Sequence, residues 1–239
     1  MRVVVAGDSI THGLVSHDFV EDLRRQLGRN HLVINAGLNN DMVHDLLVRL
    51  DQIVACHPHV VVVMIGTNDA NATANRVPLA RYVRKHRLPR VPSLAWFEEV
   101  LGEVARRLSE AGARVALLSP PVIGEDLNAP EFRRVGDYAA AVKRVAESTG
   151  VDYLPLWERM VGYLEAHPSS PRQPFRRQRW LTAKATVRHY LFGTSWEGLA
   201  RDNGFQLVHD YLHLTPLGAQ FVLDLLEVFV RGCLKDAAT

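Results

Sequence analysis

Ser9, in Gly7-Asp8-Ser9, is a candidate nucleophile, and Asp210 and His213, in Asp210-Tyr211-Leu212-His213, are the candidates to activate it. A serine hydroxyl needs a base to take its proton, a group to orient that base, and donors aimed at the charge that develops on the attacked oxygen. Asp210 and His213 stand three residues apart, a spacing that can set both side chains on one side of a single turn, with the carboxylate holding the imidazole. With an ordinary pKa of about 6.5, a neutral His213 can take the Ser9 proton and return it to a leaving group. A Gly-Asp-Ser tripeptide alone is an ordinary turn, so its weight depends on the elements around it.

Those elements read as an alternation of buried strands and amphipathic helices. Val3-Val4-Val5-Ala6 precedes the serine turn without polar alternation, as a strand covered on both faces does. A second strand, Leu32-Val33-Ile34, exits through Asn35-Ala36-Gly37-Leu38-Asn39-Asn40, and a third, Val60 to Ile65, exits through Gly66-Thr67-Asn68-Asp69. Helices are predicted over 17–28 and 41–54, the latter capped by Asp41. The β-α-β-α-β order implies right-handed crossovers and a parallel sheet, with all three polar exits at one edge. In a 2-1-3 strand order, Ser9 is central. Neighbouring strands lie about 4.8 Å apart, so a backbone N–H near Gly37 and the Asn68 amide could both reach an atom attached to Ser9. Further on, helices are predicted over 93–111, 132–149 and about 156–165, strands at 115–118 and 151–154, and a last helix capped by Thr215, with Pro216 at its first position.

Two stretches exceed what the sheet pattern needs. The first, at about 70–92, contains Arg76, Arg81, Arg84, Lys85, Arg87 and Arg90 and no acid, and reads as a long basic loop. The second, at about 166–204, interleaves basic residues with Phe175, Trp180, Tyr190, Phe192 and Trp196 and shows no clean period; it reads as an insertion. Both leave from the edge that carries Ser9. The expectation is a lid favouring an anionic or amphiphilic acyl substrate, with Arg176, Arg177 and Arg179 as its binding residues.

The remaining features narrow the class. With 47% apolar and 23% charged residues and a formal charge of +2, the chain reads as soluble and cytoplasmic, with no case for nucleic acid. Its apolar runs are too short to span a bilayer. Only Cys56 and Cys233 are present, far apart, so neither a disulfide framework nor a paired-cysteine metal site is indicated. Cys56-His57-Pro58-His59 precedes the third strand, at the end of the sheet remote from Ser9, and reads as a surface turn. His12 is a rival base with no carboxylate placed in sequence to orient it, while Asp8 and Asp69 read as acceptors that organise their loops.

Taken together and in this order, the Gly7-Asp8-Ser9, Gly37, Gly66-Thr67-Asn68-Asp69 and Asp210-x-x-His213 blocks resemble those of the SGNH hydrolases, also called GDSL-type esterases and lipases. The resemblance spans positions 7 to 213 and implies one flavodoxin-like three-layer α/β/α domain over 1–239, with a five-stranded parallel sheet in the order 2-1-3-4-5. It implies a Ser9-His213-Asp210 triad and an oxyanion hole from the Ser9 and Gly37 N–H groups and the Asn68 side chain. It also implies a small-molecule, lipid or sugar acyl ester as substrate and no metal or organic cofactor. Acyl transfer or thioester cleavage at the same serine stays open, as does a binding protein that keeps the fold without turnover. Oligomeric state is not legible.

Overall fold

The computed structural model describes residues 1–74 and 79–236. Five parallel strands, β1 (Arg2–Gly7), β2 (Leu32–Gly37), β3 (Val60–Met64), β4 (Arg114–Leu118) and β5 (Asp152–Leu154), form one sheet in the order β2-β1-β3-β4-β5. This is the expected three-layer α/β/α arrangement. The register brings Gly7 opposite both Gly37 and Met64, so the first three strands end flush and their exits share one edge.

Alternation along each strand divides the core. Val3, Val5, Val60 and Val62 pack with α2 (Phe19–Leu27), α9 (Leu156–Ala166) and α12 (Pro216–Asp236) on one face. Val4, Ala6, Val61 and Val63 pack on the other with α3 (Val43–Val48), α4 (Leu50–Val54), α7 (Leu94–Glu110) and α8 (Pro130–Thr149). Side chains two apart share a face, so an unbroken apolar strand fills both cores at once.

The helix expected over 41–54 is two helices, broken at Arg49. Its cap is Met42, whose N–H donates to Asp45 at 2.9 Å, and not Asp41. Asp41 instead accepts from Arg49 at 2.7 Å, while the same guanidinium donates to the Gly7 and Ala36 carbonyls and so ties the ends of β1 and β2.

The two extra stretches are largely helical. Directly after Gly66 (φ 117°) the chain enters α5 (Thr67–Ala74), which puts Asn68 in a helix's first turn, and α6 (Leu79–His86) follows. Absence of acids made this segment read as a solvated loop, yet α6 buries Tyr82; Arg76 lies outside the described residues. Within 166–204 stand a 3₁₀ turn at Phe175–Arg177, α10 (Gln178–Phe192) and α11 (Trp196–Asn203). α10 buries Leu181 and Ala185 but exposes Trp180, Val187 and Leu191, so apolar residues occur around its whole circumference and no period stands out. The remaining element, α1 (Ser9–His12), is a single turn.

Candidate active site

The site begins at the sharp exit from β1. Asp8 caps α1, its Oδ1 accepting the Ile10 N–H at 2.9 Å, and Gly13 ends the turn in the left-handed region (φ 84°). A Cβ at Gly7 would collide with Thr11 and the Met64 carbonyl, and one at Gly37 with the His12 backbone. Both glycines therefore let α1 lie directly on the sheet edge, which holds Ser9 at its first helical position.

The opposite wall is the turn 207–215. Asp210 Oδ1 accepts the N–H groups of Leu212 (3.1 Å) and His213 (2.9 Å), and the Tyr211 backbone between them sits at φ 87°. That conformation is uncommon for a large side chain. It is held by Gly124 N–H donating to the Tyr211 carbonyl at 2.8 Å and by the Tyr211 hydroxyl donating to the Gln173 carbonyl. Glu125 fixes the approach to this turn, its buried carboxylate accepting N–H groups from Gln206, Leu207 and Val208 and the Ser169 hydroxyl.

Across the cavity, Ser9 Oγ lies 3.0 Å from His213 Nε2, and His213 Nδ1 lies 2.8 Å from Asp210 Oδ2. An ionised carboxylate only accepts, so Nδ1 carries the ring proton and Nε2 is left to accept from Ser9. The Thr182 hydroxyl of α10 also donates to Asp210 Oδ2, and itself accepts from Gln178 Nε2 at 2.8 Å. Burial alone would raise the Asp210 pKa, but the adjacent His213 and His209 and these hydrogen bonds hold it well below the usual carboxylate range. Burial works to lower the pKa of His213; the Asp210 charge and hydrogen bond outweigh it and raise the imidazole above its ordinary 6.5.

The carboxylates on the Ser9 side behave differently. Burial raises Asp8 to about 7, against the Ile10 N–H that favours its ionised form, and raises Asp69 to about 8, against the N–H of Val43. Asn68 Nδ2 donates to Asp8 Oδ2 at 3.3 Å and to the Asp41 carbonyl at 3.0 Å. Asp8 and Asp69 thus organise loops, as their types suggest.

A cavity of about 400 Å³ opens over Ser9 and His213, lined also by Asn40, Asn68, Asn71 and Gln178 and, from the two extra stretches, Tyr82, Lys85, His86, Arg179 and Thr182. Among the described lining residues, Ala183 and Leu212 are the purely aliphatic ones. Ser9, Asn68, Asp210, His213 and Arg179 are therefore brought together, whereas Gly37, Arg176 and Arg177 are not among the lining residues. Gly37 N–H donates to Asn35 Oδ1 at 3.0 Å. Arg176 and Arg177 are exposed on the 3₁₀ turn, where Arg177 donates to Gln173 at 2.9 Å. Asn40 does line the cavity, with φ 68°, and among the described residues its N–H has no hydrogen-bond partner.

His12 is not a lining residue, and His213 is the imidazole at Ser9. Cys56 to His59 form a turn at the far end of the sheet, where Arg2 Nε donates to the His57 carbonyl at 2.7 Å. Among the described residues, His209, Asp210 and His213 form a group whose possible ligand atoms lie within 4.8 Å of one another. Asp210 Oδ2 is already shared by His213 and Thr182, and His209 Nε2 donates to the Val15 carbonyl at 2.9 Å, so the donor set is a hydrogen-bond network. Among the described residues, no helix is long and apolar enough to cross a membrane.

Thr182 and Glu125 escape a sequence reading, because each is one polar residue whose partner is distant in the chain. Asn40 carried a weak signal, since asparagine at the end of a strand exit is a residue that tolerates the left-handed region.

A model of the GDSL-like Lipase/Acylhydrolase family matches residues 5–221. Among curated proteins none matches. Among solved structures, the acetyl xylan esterase AlAXEase is similar with a TM-score of 0.68 and 19% identity, covering 96% of this chain and 100% of its own. A lipase/acylhydrolase from Enterococcus faecalis is similar with a TM-score of 0.62 and 21% identity, covering 97% and 95%. Axe2, an acetylxylan esterase from Geobacillus stearothermophilus, in a catalytic mutant form, gives a TM-score of 0.64 and 19% identity over 97% and 93%. At these identities the likeness is one of fold.

Proposed function

The chain belongs to the GDSL-like lipase/acylhydrolase family, a family of acyl-ester hydrolases, and from that premise we propose that it cleaves short carboxylic esters of polar alcohols through an acyl-serine intermediate. The observation that carries this reading is the continuous chain from Ser9 Oγ through His213 to Asp210, with 3.0 Å and 2.8 Å steps. Neutral His213 takes the Ser9 proton as Oγ attacks the ester carbonyl, and Asp210 stabilises the imidazolium that forms. His213 then protonates the departing alcohol. Water enters, gives a proton to His213 as it attacks the acyl carbonyl, and displaces the acid as His213 returns that proton to Ser9 Oγ.

The oxyanion of each tetrahedral intermediate is met by the Ser9 N–H at the start of α1 and by Asn68 Nδ2, which gives up its longer, 3.3 Å hydrogen bond to Asp8 to do so. For a third donor, the N–H of Asn40 is better supported than that of Gly37, which is occupied by Asn35. The polar alcohol is supported by the described lining, in which Asn40, Asn68, Asn71 and Gln178 offer amides and Lys85 and Arg179 offer cations. The structural likeness to acetyl xylan esterases points the same way.

The test is hydrolysis of a chromogenic ester series from acetyl to long chain, with native protein and Ser9→Ala, alongside labelling by a fluorophosphonate. Ser9-dependent turnover that falls with acyl length is the expected result. Turnover retained in Ser9→Ala, or no turnover together with no label on Ser9, overturns the reading. Added acceptor alcohols distinguish hydrolysis from acyl transfer by their products.

A further inference from the structure

The cations of the two extra stretches converge on the cavity beside Ser9. Lys85 comes from the last turn of α6 and Arg179 from the first turn of α10, and both line the cavity. Arg179 Nη2 lies 3.4 Å from the Tyr82 hydroxyl, which accepts that N–H and keeps its own proton to donate. Among the described residues, no Asp or Glu lines the cavity and neither Lys85 nor Arg179 has a carboxylate partner; the lining His86 pairs with Asp45 behind it at 2.7 Å. Of the other cations on these stretches, Arg90 pairs with Glu99 at 2.5 Å and Arg188 with Asp202 at 2.7 Å, while Arg84, Arg87, Arg176 and Arg177 have no carboxylate partner among the described residues but do not line the cavity.

We propose that this part of the cavity is an anion subsite, so that the preferred substrate is an ester bearing a fixed negative charge on its acyl or alcohol portion, held by Lys85, Arg179 and the Tyr82 hydroxyl. The proposal rests on the ester-hydrolase reading of Ser9 and names the substrate class for it. Two unpaired cations in one concavity repel each other and concentrate anions there. A carboxylate between them gains charge-assisted hydrogen bonds that a neutral ester of the same shape cannot form. The subsite explains why two segments distant in sequence, both poor in acids, meet over the nucleophile. It also moves the basic specificity from Arg176 and Arg177, which do not line the cavity, to Lys85 and Arg179.

Two matched pairs test it, one for each side of the ester. 4-Acetoxybenzoate is compared with 4-acetoxybenzamide, and the 4-nitrophenyl monoester of adipic acid with 4-nitrophenyl hexanoate. For at least one pair, the charged-over-neutral ratio of kcat/KM should fall about tenfold in Lys85→Met/Arg179→Gln, a change of about 1.4 kcal/mol. Arg179→Lys should recover part of it, Arg176→Gln/Arg177→Gln should leave the ratio as it is, and added salt should weaken the native preference. Unchanged ratios for both pairs in the double variant overturn the proposal, as does an equal fall in Arg176→Gln/Arg177→Gln. Binding separates this from failure of the esterase reading. In a Ser9→Ala background, calorimetry should show 4-acetoxybenzoate binding more tightly than the benzamide, and the added Lys85→Met/Arg179→Gln substitutions should remove the difference. Equal affinities for the two probes, or a difference that survives those substitutions, count against the subsite whether or not the native protein turns over esters.

Discussion

Asp8 and Asp210 are both buried, on opposite walls of one cavity, and their acidities are displaced in opposite directions. Asp8 faces a backbone N–H and the Asn68 amide, and Asp69 the N–H of Val43; among the described residues no cation is hydrogen-bonded to either, and although the His213 charge favours ionised Asp8, burial prevails and raises the two to about 7 and about 8. Asp210 faces the His213 imidazole, the Thr182 hydroxyl and two N–H groups, and stays ionised. Desolvation raises any buried carboxyl, so the partner decides its charge. Of the buried carboxyls around Ser9, it is Asp210 that keeps a charge to balance an imidazolium.

Removing that charge should have the largest effect. Asp210→Asn should lower kcat by on the order of 10⁴, since Nδ1 loses the acceptor that fixes its tautomer. Because His213 must be neutral to act as base and its pKa is raised, kcat/KM in the native protein should climb with pH through a midpoint above 6.5. In Asp210→Asn the residual activity should show that midpoint moved to lower pH. A pH–rate profile on both proteins checks it, and an unmoved midpoint would detach His213 from Asp210.

On the opposite wall the amide matters more than the carboxyls. Asn68→Ala should reduce kcat by about 10²–10³ if Nδ2 meets the oxyanion. A loss below about threefold in steady-state assays would remove Asn68 from that role. Thr182→Val should cost less, about three- to tenfold in kcat, because one of several hydrogen bonds to Asp210 is lost. Thr182→Ser should restore it, whereas equal loss in both variants would point to packing of α10.

Asp69→Asn should be the mildest in turnover, within about threefold, because the native carboxyl is already neutral near pH 7. Its signature is in stability. A carboxyl raised from 3.8 to about 8 on folding binds its proton more tightly in the folded state. The stabilisation is complete below about pH 4 and is lost as pH rises toward 8. The Tm difference between Asp69→Asn and native protein should therefore shift in the variant's favour from pH 5 to pH 8. A difference constant across that range would show Asp69 ionised throughout.

Much of the scaffold was legible because it is written in consecutive residues. Val3 to Ala6 and Val60 to Ile65 announce strands covered on both faces, and the polar exits after them mark the edge where Ser9 stands. The helices of the extra stretches were hidden, since α10 exposes Val187 and Leu191 as well as burying Leu181. A segment that supplies a wall has no single apolar stripe to reveal it.

By itself, then, the sequence determined the order of the strands and of most helices that alternate with them, the sheet edge their exits share, and the residue types able to activate Ser9. These follow from local periodicity and short spacing, which act within a few residues of the chain. Only the tertiary structure decided that Thr182 reaches Asp210, that Glu125 gathers the N–H groups of 206–208, that Asn40 and not Gly37 lines the cavity, and that Lys85 and Arg179 meet there. Each depends on how separate elements pack across the sheet, and a contact between distant residues leaves no period in the sequence between them.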